Sequence, residues 1–209
     1  VYRRNGLLKA SVMSAGNAHR LGANEAPPAI LSVFLGTQLS AILDKIEFSQ
    51  SDEAIQLDKK TGFRMDGITH IPELFRDTTD RNRTSPFAFT GNKFEFRMLG
   101  SAASVATPNI ILNTAVAESL DQFYEELKDT EPADMDEAVH ALLKRAIQKH
   151  KKVIFNGNGY SDEWVKEASR RGLDNLESTP DCLERLLSPK SISLLTKHHI
   201  FTKDEICSR

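Results

Sequence analysis

Apolar positions recur at helical spacing through the second half of the chain and alternate in one short stretch of its middle. Ile110, Ile111, Val116, Leu120, Phe123 and Leu127 predict a helix from about Asn109. Ala138, Val139, Leu142, Leu143, Ala146 and Ile147 share one side of a second, over about Asp136–His150. Ser161 reads as the cap of a helix that Gly172 ends. Thr179-Pro180 and Ser188-Pro189 each read as a cap followed by proline at the first helical position. Thr202 with Glu205 three residues on is a capping box.

Nearer the start, Leu7–Ser14 reads as the last turns of a helix ended by Gly16. Residues 16–27 are small, polar and glycine-punctuated, which predicts a loop. Pro28 suits the first turn of a helix whose apolar set Ile30, Leu31, Phe34, Ile42, Leu43 and Ile46 runs to about Phe48, with Gly36 weakening its middle. Residues 49–80 carry little pattern and predict loops and short strands. Pro86–Phe89 and Lys93–Leu99 read as two extended segments around a Thr90-Gly91-Asn92 turn.

Composition narrows the class. The 209 residues carry 27 Lys+Arg against 29 Asp+Glu, a formal net charge of -2, so there is no basic excess of the kind nucleic acid selects. The longest apolar runs, such as Ile30–Leu35, fall far short of the ~20 residues of a membrane helix. Two separated cysteines, Cys182 and Cys207, make no disulfide framework, and the cytosol is the expected compartment. The chain starts without Met and stops one turn into the Thr202 helix, which reads as a piece of a longer protein.

Three segments carry candidate chemistry. In the strand Lys93–Leu99, side chains alternate, so Phe94, Phe96 and Met98 face one way and Lys93, Glu95 and Arg97 the other. A carboxylate between two cations suits a divalent metal beside an anionic ligand, and it equally suits a solvated, self-neutralising strand face. Arg81 and Arg83 in Asp80-Arg81-Asn82-Arg83-Thr84-Ser85 offer guanidinium forks for phosphate, or form an ordinary polar turn. The Ala18–Pro27 stretch sets Arg20 and Glu25 among small residues, as a closing flap or a plain surface loop would. Asn156-Gly157-Asn158-Gly159 lacks the Lys-Ser/Thr of a phosphate loop and reads as a turn. His198-His199 reads as solvent-facing, Lys149, Lys151 and Lys152 as a solvated patch, and Trp164 as core.

Together, Arg20-Leu21-Gly22-Ala23-Asn24-Glu25-Ala26-Pro27, Arg81-Asn82-Arg83-Thr84-Ser85-Pro86-Phe87-Ala88-Phe89 and Lys93-Phe94-Glu95-Phe96-Arg97 resemble, in this order, the motifs of glutamine synthetase, in the wording of its long type III form. The resemblance runs over nearly the whole chain. It implies a ligase in which ATP phosphorylates the side-chain carboxylate of glutamate and ammonia displaces phosphate from γ-glutamyl phosphate, with Mg²⁺ or Mn²⁺ neutralising charge. By motif, Glu95 would be a metal ligand, Arg97 would hold a carboxylate of glutamate, and Lys93 would face the nucleotide phosphates where shorter forms carry arginine. Arg83 would stabilise the transferred phosphoryl and bind ATP. Arg20 would bind substrate carboxylate or phosphate, and Glu25 would shield the intermediate and help deprotonate ammonium.

The motifs also depart from the shorter forms. The loop from Arg20 to Glu25 is one residue shorter than in the common bacterial form. The position where the shorter forms carry a further phosphate-binding arginine falls near Ala88, so that contact must come from elsewhere or be missing. The resemblance implies an α+β fold: part of an antiparallel curved sheet, with a predominantly helical C-terminal half. Residues 1–130 would be a partial catalytic domain carrying the glutamate and phosphoryl half of the site, and 131–209 a helical extension. The family's amino-terminal domain and most of its metal ligands are not in this sequence, so the piece alone is expected to be inactive. The family also implies a homo-oligomeric ring, and neither nucleic-acid nor membrane partners. A non-catalytic helical interaction or regulatory module of the same fold, or a ligase joining another amine to glutamate, stays open on these residues.

Overall fold

The computed structural model describes residues 1–21, 28–48, 62–63, 74–75 and 84–208. A 3₁₀ turn at Tyr2–Arg4 leads into α1 (Asn5–Ala10), followed by α2 (Ala15–Arg20). Gly16 does not end a helix; it lies in the first turn of α2, because Ser14 caps that helix by accepting from the Asn17 N–H.

The helix expected from Pro28 begins eight residues later. Residues 30–35 are not helical and carry β1 (Val33–Phe34), and α3 runs Gly36–Phe48. Two long-range facts override the helical spacing of Ile30, Leu31 and Phe34. Val33 and Phe34 pair in parallel with Phe87 and Ala88 of β4 (Phe87–Phe89). The Asn156 side chain caps the start of α3, its Oδ1 accepting from the N–H of Leu35 at 3.0 Å and of Gly36 at 3.1 Å. Gly36 also has φ of 76°, a left-handed conformation that glycine adopts without penalty.

β2 (Gly62–Phe63) and β3 (Leu74–Phe75) form a separate antiparallel pair. β4 and β5 (Phe94–Phe96) make the expected hairpin, with Phe87, Ala88 and Phe89 opposite Phe96, Glu95 and Phe94. The three-stranded sheet β1-β4-β5 is therefore mixed rather than wholly antiparallel, since β1 joins β4 in parallel.

The rest is helical: α4 (Ala106–Leu127), α5 (Met135–His150), a 3₁₀ turn at Lys151–Val153, α6 (Asp162–Arg170), α7 (Thr179–Glu184), α8 (Pro189–Lys197) and α9 (Lys203–Cys207). α4 starts three residues before Asn109 because Pro108 sits in its first turn, where a missing N–H costs nothing. Ser161, Ser188 and the Thr202/Glu205 box cap their helices as the sequence predicts. α7 is capped by Ser178 rather than Thr179, which is already helical. None of the described helices is long and apolar enough to cross a membrane.

Two core clusters fix these parts. Leu7, Leu8 and Val12 of the α1 region pack with Leu21, Leu31, Met98, Ile111 of α4 and Leu194 of α8, joining residues on both sides of position 130. Ile30, Val33, Leu35, Val153, Trp164, Ala168 and Leu173 form the second, in which Trp164 stacks on Phe155 with centroids 3.8 Å apart. Burying side chains of this size contributes on the order of 1.5–3 kcal/mol each.

Candidate functional site

The β4–β5 hairpin presents the charged face. Alternation along β5 puts Phe94 and Phe96 against Phe87 of β4, at 5.7 and 5.8 Å between ring centroids. Met98 continues that face into the core, fully buried. Glu95 then lies on the opposite face, across from Ala88, which is also fully buried. A face that buries Ala88 is not a simple solvated strand surface.

Arg97 closes the group. Its side chain is only 11% exposed, and its Nε and Nη2 donate to Glu95 Oε2 at 3.2 and 3.1 Å. Lys93 Nζ, more exposed, stands 3.4 Å from Glu95 Oε1. The bonds from Arg97, with help from Lys93, hold the Glu95 carboxyl below the usual carboxylate range, so it is ionised at neutral pH. The Arg97 backbone is fixed as well, its N–H donating to Pro86 O at 2.9 Å.

Arg20, at the end of α2, reaches this region from the side. Its Nε donates to Asn17 Oδ1 at 2.8 Å, and its Nη2 donates to the carbonyls of Met98 and Leu99 at 3.0 Å each. Lys93, Glu95 and Arg97 thus form one ion-paired group on β5, and Arg20 is bonded to the backbone carbonyls that follow Arg97. Glu25 and Arg83 lie outside the described residues. Thr84, which follows Arg83, accepts from the Gly159 N–H at 3.1 Å. A Cβ on Gly159 would come within 2.6 Å of that carbonyl, so glycine is required at this contact. The Asn156–Gly159 loop is therefore more than a turn: one end caps α3 and the other buttresses Thr84.

A divalent ion takes about six oxygen ligands. Glu95 offers one carboxylate, to which Arg97 and Lys93 already donate, so the described residues around it do not make a metal centre by themselves. A second acidic group, Glu118, Asp121 and His198, brings three potential ligand atoms within 4.8 Å of one another. Lys197 already supplies its cation, with Nζ 2.6 Å from Glu118 and 3.2 Å from Asp121. His198, far from facing solvent, bonds Glu118 through Nε2 at 2.8 Å. The lysine bond, with those from His198 and Gln122, lowers the Glu118 carboxyl to about 2. This junction fastens α4 to α8. Lys151 likewise is not simply solvated; it pairs with the buried Glu47 at 2.5 Å.

Sequence reasoning did not single out Asn17 or Asn156, which organise the surroundings. Lone asparagines beside glycines read as turn formers, and their partners lie up to 121 residues away.

Residues 138–209 match the family model of the glutamine synthetase C-terminal domain. The whole chain is 47% identical over 211 aligned residues to a protein named glutamine synthetase from Bacteroides fragilis (strain YCH46), covering 29% of that protein. It is 47% identical, over 97% of its length, to a type-3 glutamine synthetase from Dictyostelium discoideum, and 45% identical to a glutamine synthetase from Butyrivibrio fibrisolvens, spanning 27% and 28% of them. The chain thus spans under a third of the relatives it matches. By a similarity that runs along its whole length, this chain belongs to the glutamine synthetase family.

Proposed function

We propose that the polypeptide carrying this sequence is a glutamate–ammonia ligase, making glutamine through γ-glutamyl phosphate at the expense of ATP. The observation that carries the reading is the Lys93-Glu95-Arg97 face: a nearly buried guanidinium, an ionised carboxylate and an exposed ammonium on one strand. Glutamate presents two carboxylates and the nucleotide a chain of phosphates, and Arg97 and Lys93 are cations on that face. Arg97, held rigidly from Pro86 and Glu95, binds a carboxylate of glutamate. Lys93, on its flexible stem, faces the phosphates of ATP.

Phosphoryl transfer between two anions needs its charge neutralised along the whole path. Arg83 supplies a guanidinium beside the transferred group, and Arg20 stands at the carboxylate or phosphate end of the substrate. Glu25 takes a proton from ammonium and keeps water from the acyl phosphate, which would otherwise hydrolyse. Mg²⁺ or Mn²⁺ supplies charge neutralisation when bound; Glu95 contributes one ligand oxygen, the others coming from outside the described residues. A ring of identical subunits, a cytoplasmic location and a division near residue 130, between α4 and α5, belong to the same reading.

The test is γ-glutamyl hydroxamate formation from glutamate, hydroxylamine and ATP by the full-length enzyme. Wild type is expected to be active. Glu95→Ala and Arg97→Ala are each expected to lose at least a hundredfold in kcat/KM, the scale of removing one charge-stabilising group. A folded, metal-supplied wild type without activity would favour a non-catalytic module or another amine acceptor. Activity retained in both variants would reduce the strand face to scaffold.

A further inference from the structure

We propose that Asn17 is a positioning residue of this site, holding Arg20 and the backbone just beyond Arg97 in one frame. The use of that frame, to grip glutamate, rests on the ligase reading above.

Asn17 is 5% exposed, and both ends of its side-chain amide are engaged. Nδ2 donates to Val12 O at 2.6 Å and to Met98 O at 2.9 Å, and Oδ1 accepts from Arg20 Nε at 2.8 Å. The partners leave no choice of orientation. With N and O exchanged, an oxygen would face two carbonyls and an NH₂ would face a guanidinium N–H. Met98 O also accepts from Arg20 Nη2 at 3.0 Å, so one carbonyl is shared by Asn17 and by the arginine that Asn17 orients. Met98 directly follows Arg97, whose backbone is tied to Pro86 and whose guanidinium is tied to Glu95.

An unbroken run of bonds therefore leads from α2 through residue 98 to the charged face of β5. A tie for Val12 O alone would need only one donor. The acceptor for Arg20 and the second donor to Met98 are what join two segments 81 residues apart in sequence. A site that holds glutamate in one reactive conformation sets one separation for its two carboxylates, so two arginines that grip it there must keep a matching spacing. A misplacement of about 1 Å in such a grip can cost on the order of a hundredfold in rate. Asn17 sets that spacing without touching the substrate.

The experiment uses the full-length enzyme in the hydroxamate assay, with Asn17→Ala, Asn17→Asp, Arg20→Ala, the double variant Asn17→Ala/Arg20→Ala, and Ser191→Ala as a buried control outside the Asn17 bonds. Asn17→Ala is expected to raise the KM for glutamate about tenfold while the KM for ATP moves less than twofold. The double variant is expected to be no worse than Arg20→Ala, because Asn17 acts through that arginine. Ser191→Ala, which loses a part-buried bond to Arg185 O and shares no bonding partner with Asn17, is expected to leave both KM values unchanged.

A glutamate KM within twofold of wild type, or glutamate and ATP values rising together, overturns the proposal. So does a double variant with fully additive losses. If Asn17→Ala does not fold, Asn17→Asp decides by the same KM criterion, since it keeps the acceptor for Arg20 and loses both donors. A wild type that forms no hydroxamate defeats the ligase reading instead. Calorimetric glutamate affinity then decides Asn17: tenfold weaker binding in Asn17→Ala supports it, equal binding overturns it, and no binding by wild type overturns both.

Discussion

Lys9 shows how a single residue can stabilise a site's surroundings at an electrostatic cost. It is 2% exposed on α1, and its ammonium donates to Ala29 O, beside the bond from Asn5 Nδ2 to Leu31 O at 3.0 Å. Together they pin residues 29–31, the described stretch that follows Glu25 in sequence. Burial lowers the Lys9 ammonium from 10.5 to about 8, because a charge taken out of water favours its neutral form. Below pH 8 both folded and unfolded chains hold the proton, and the full penalty stands. Between about 8 and 10.5 the unfolded chain binds more protons than the folded one, so stability rises with pH. Against Lys9→Met, the wild type is therefore expected to gain on the order of 1–3 kcal/mol between pH 7 and pH 10. Urea midpoints of the two proteins across that range check this, and parallel pH profiles would show that Lys9 is not the group responsible.

At the scale of elements, what was legible in the sequence depended on how far away the partner lay. Caps and periodic faces are local, so α5, α6, α8 and α9 could be read almost to the residue, as could the β4–β5 hairpin and the alternation that puts Glu95 with Lys93 and Arg97. The start of α3 was not legible. Ile30–Leu35 fits a helical period, yet the run is not helical and carries β1, because β4 and the residue-156 loop, both remote in sequence, take up its backbone. The same limit hid Asn17, whose value lies in carbonyls that only folding brings near. These remote partners give the α3 start a definite sensitivity. Asn156→Ala removes a cap from two N–H groups, at about 1–2 kcal/mol. Gly36→Ala forces a Cβ into a left-handed conformation, at about 1–2 kcal/mol. Both act on the same turn, so their combined loss in a denaturant melt is expected to fall short of the sum. Strict additivity would mean that the cap and the glycine are independent.

At the scale of the whole molecule, α4 carries a side that the described residues leave uncovered. Val116, Leu120 and Tyr124, four residues apart, are 55%, 59% and 65% exposed. Such a row of apolar groups favours association. The 209-residue chain by itself is expected to self-associate with rising concentration in sedimentation velocity, and Val116→Glu with Leu120→Glu to reduce this. Concentration-independent sedimentation of the wild-type chain would show that the row is tolerated in water.

Catalysis belongs to the same scale. The chain spans 29% of the Bacteroides relative, and around Glu95 its described residues offer a divalent ion one carboxylate that two cations already occupy. A phosphoryl group moving between two anions needs more positive charge than Arg97, Lys93 and Arg20 hold in place, and Arg20 is engaged with backbone carbonyls. On the proposed reading these three cations orient glutamate, and its phosphorylation needs Arg83 and further metal ligands besides. The isolated chain with glutamate, ammonium, ATP and Mg²⁺ is therefore expected to release no phosphate above the rate without glutamate. Glutamate-dependent phosphate release, abolished by Arg97→Ala, would show instead that these 209 residues hold a complete site.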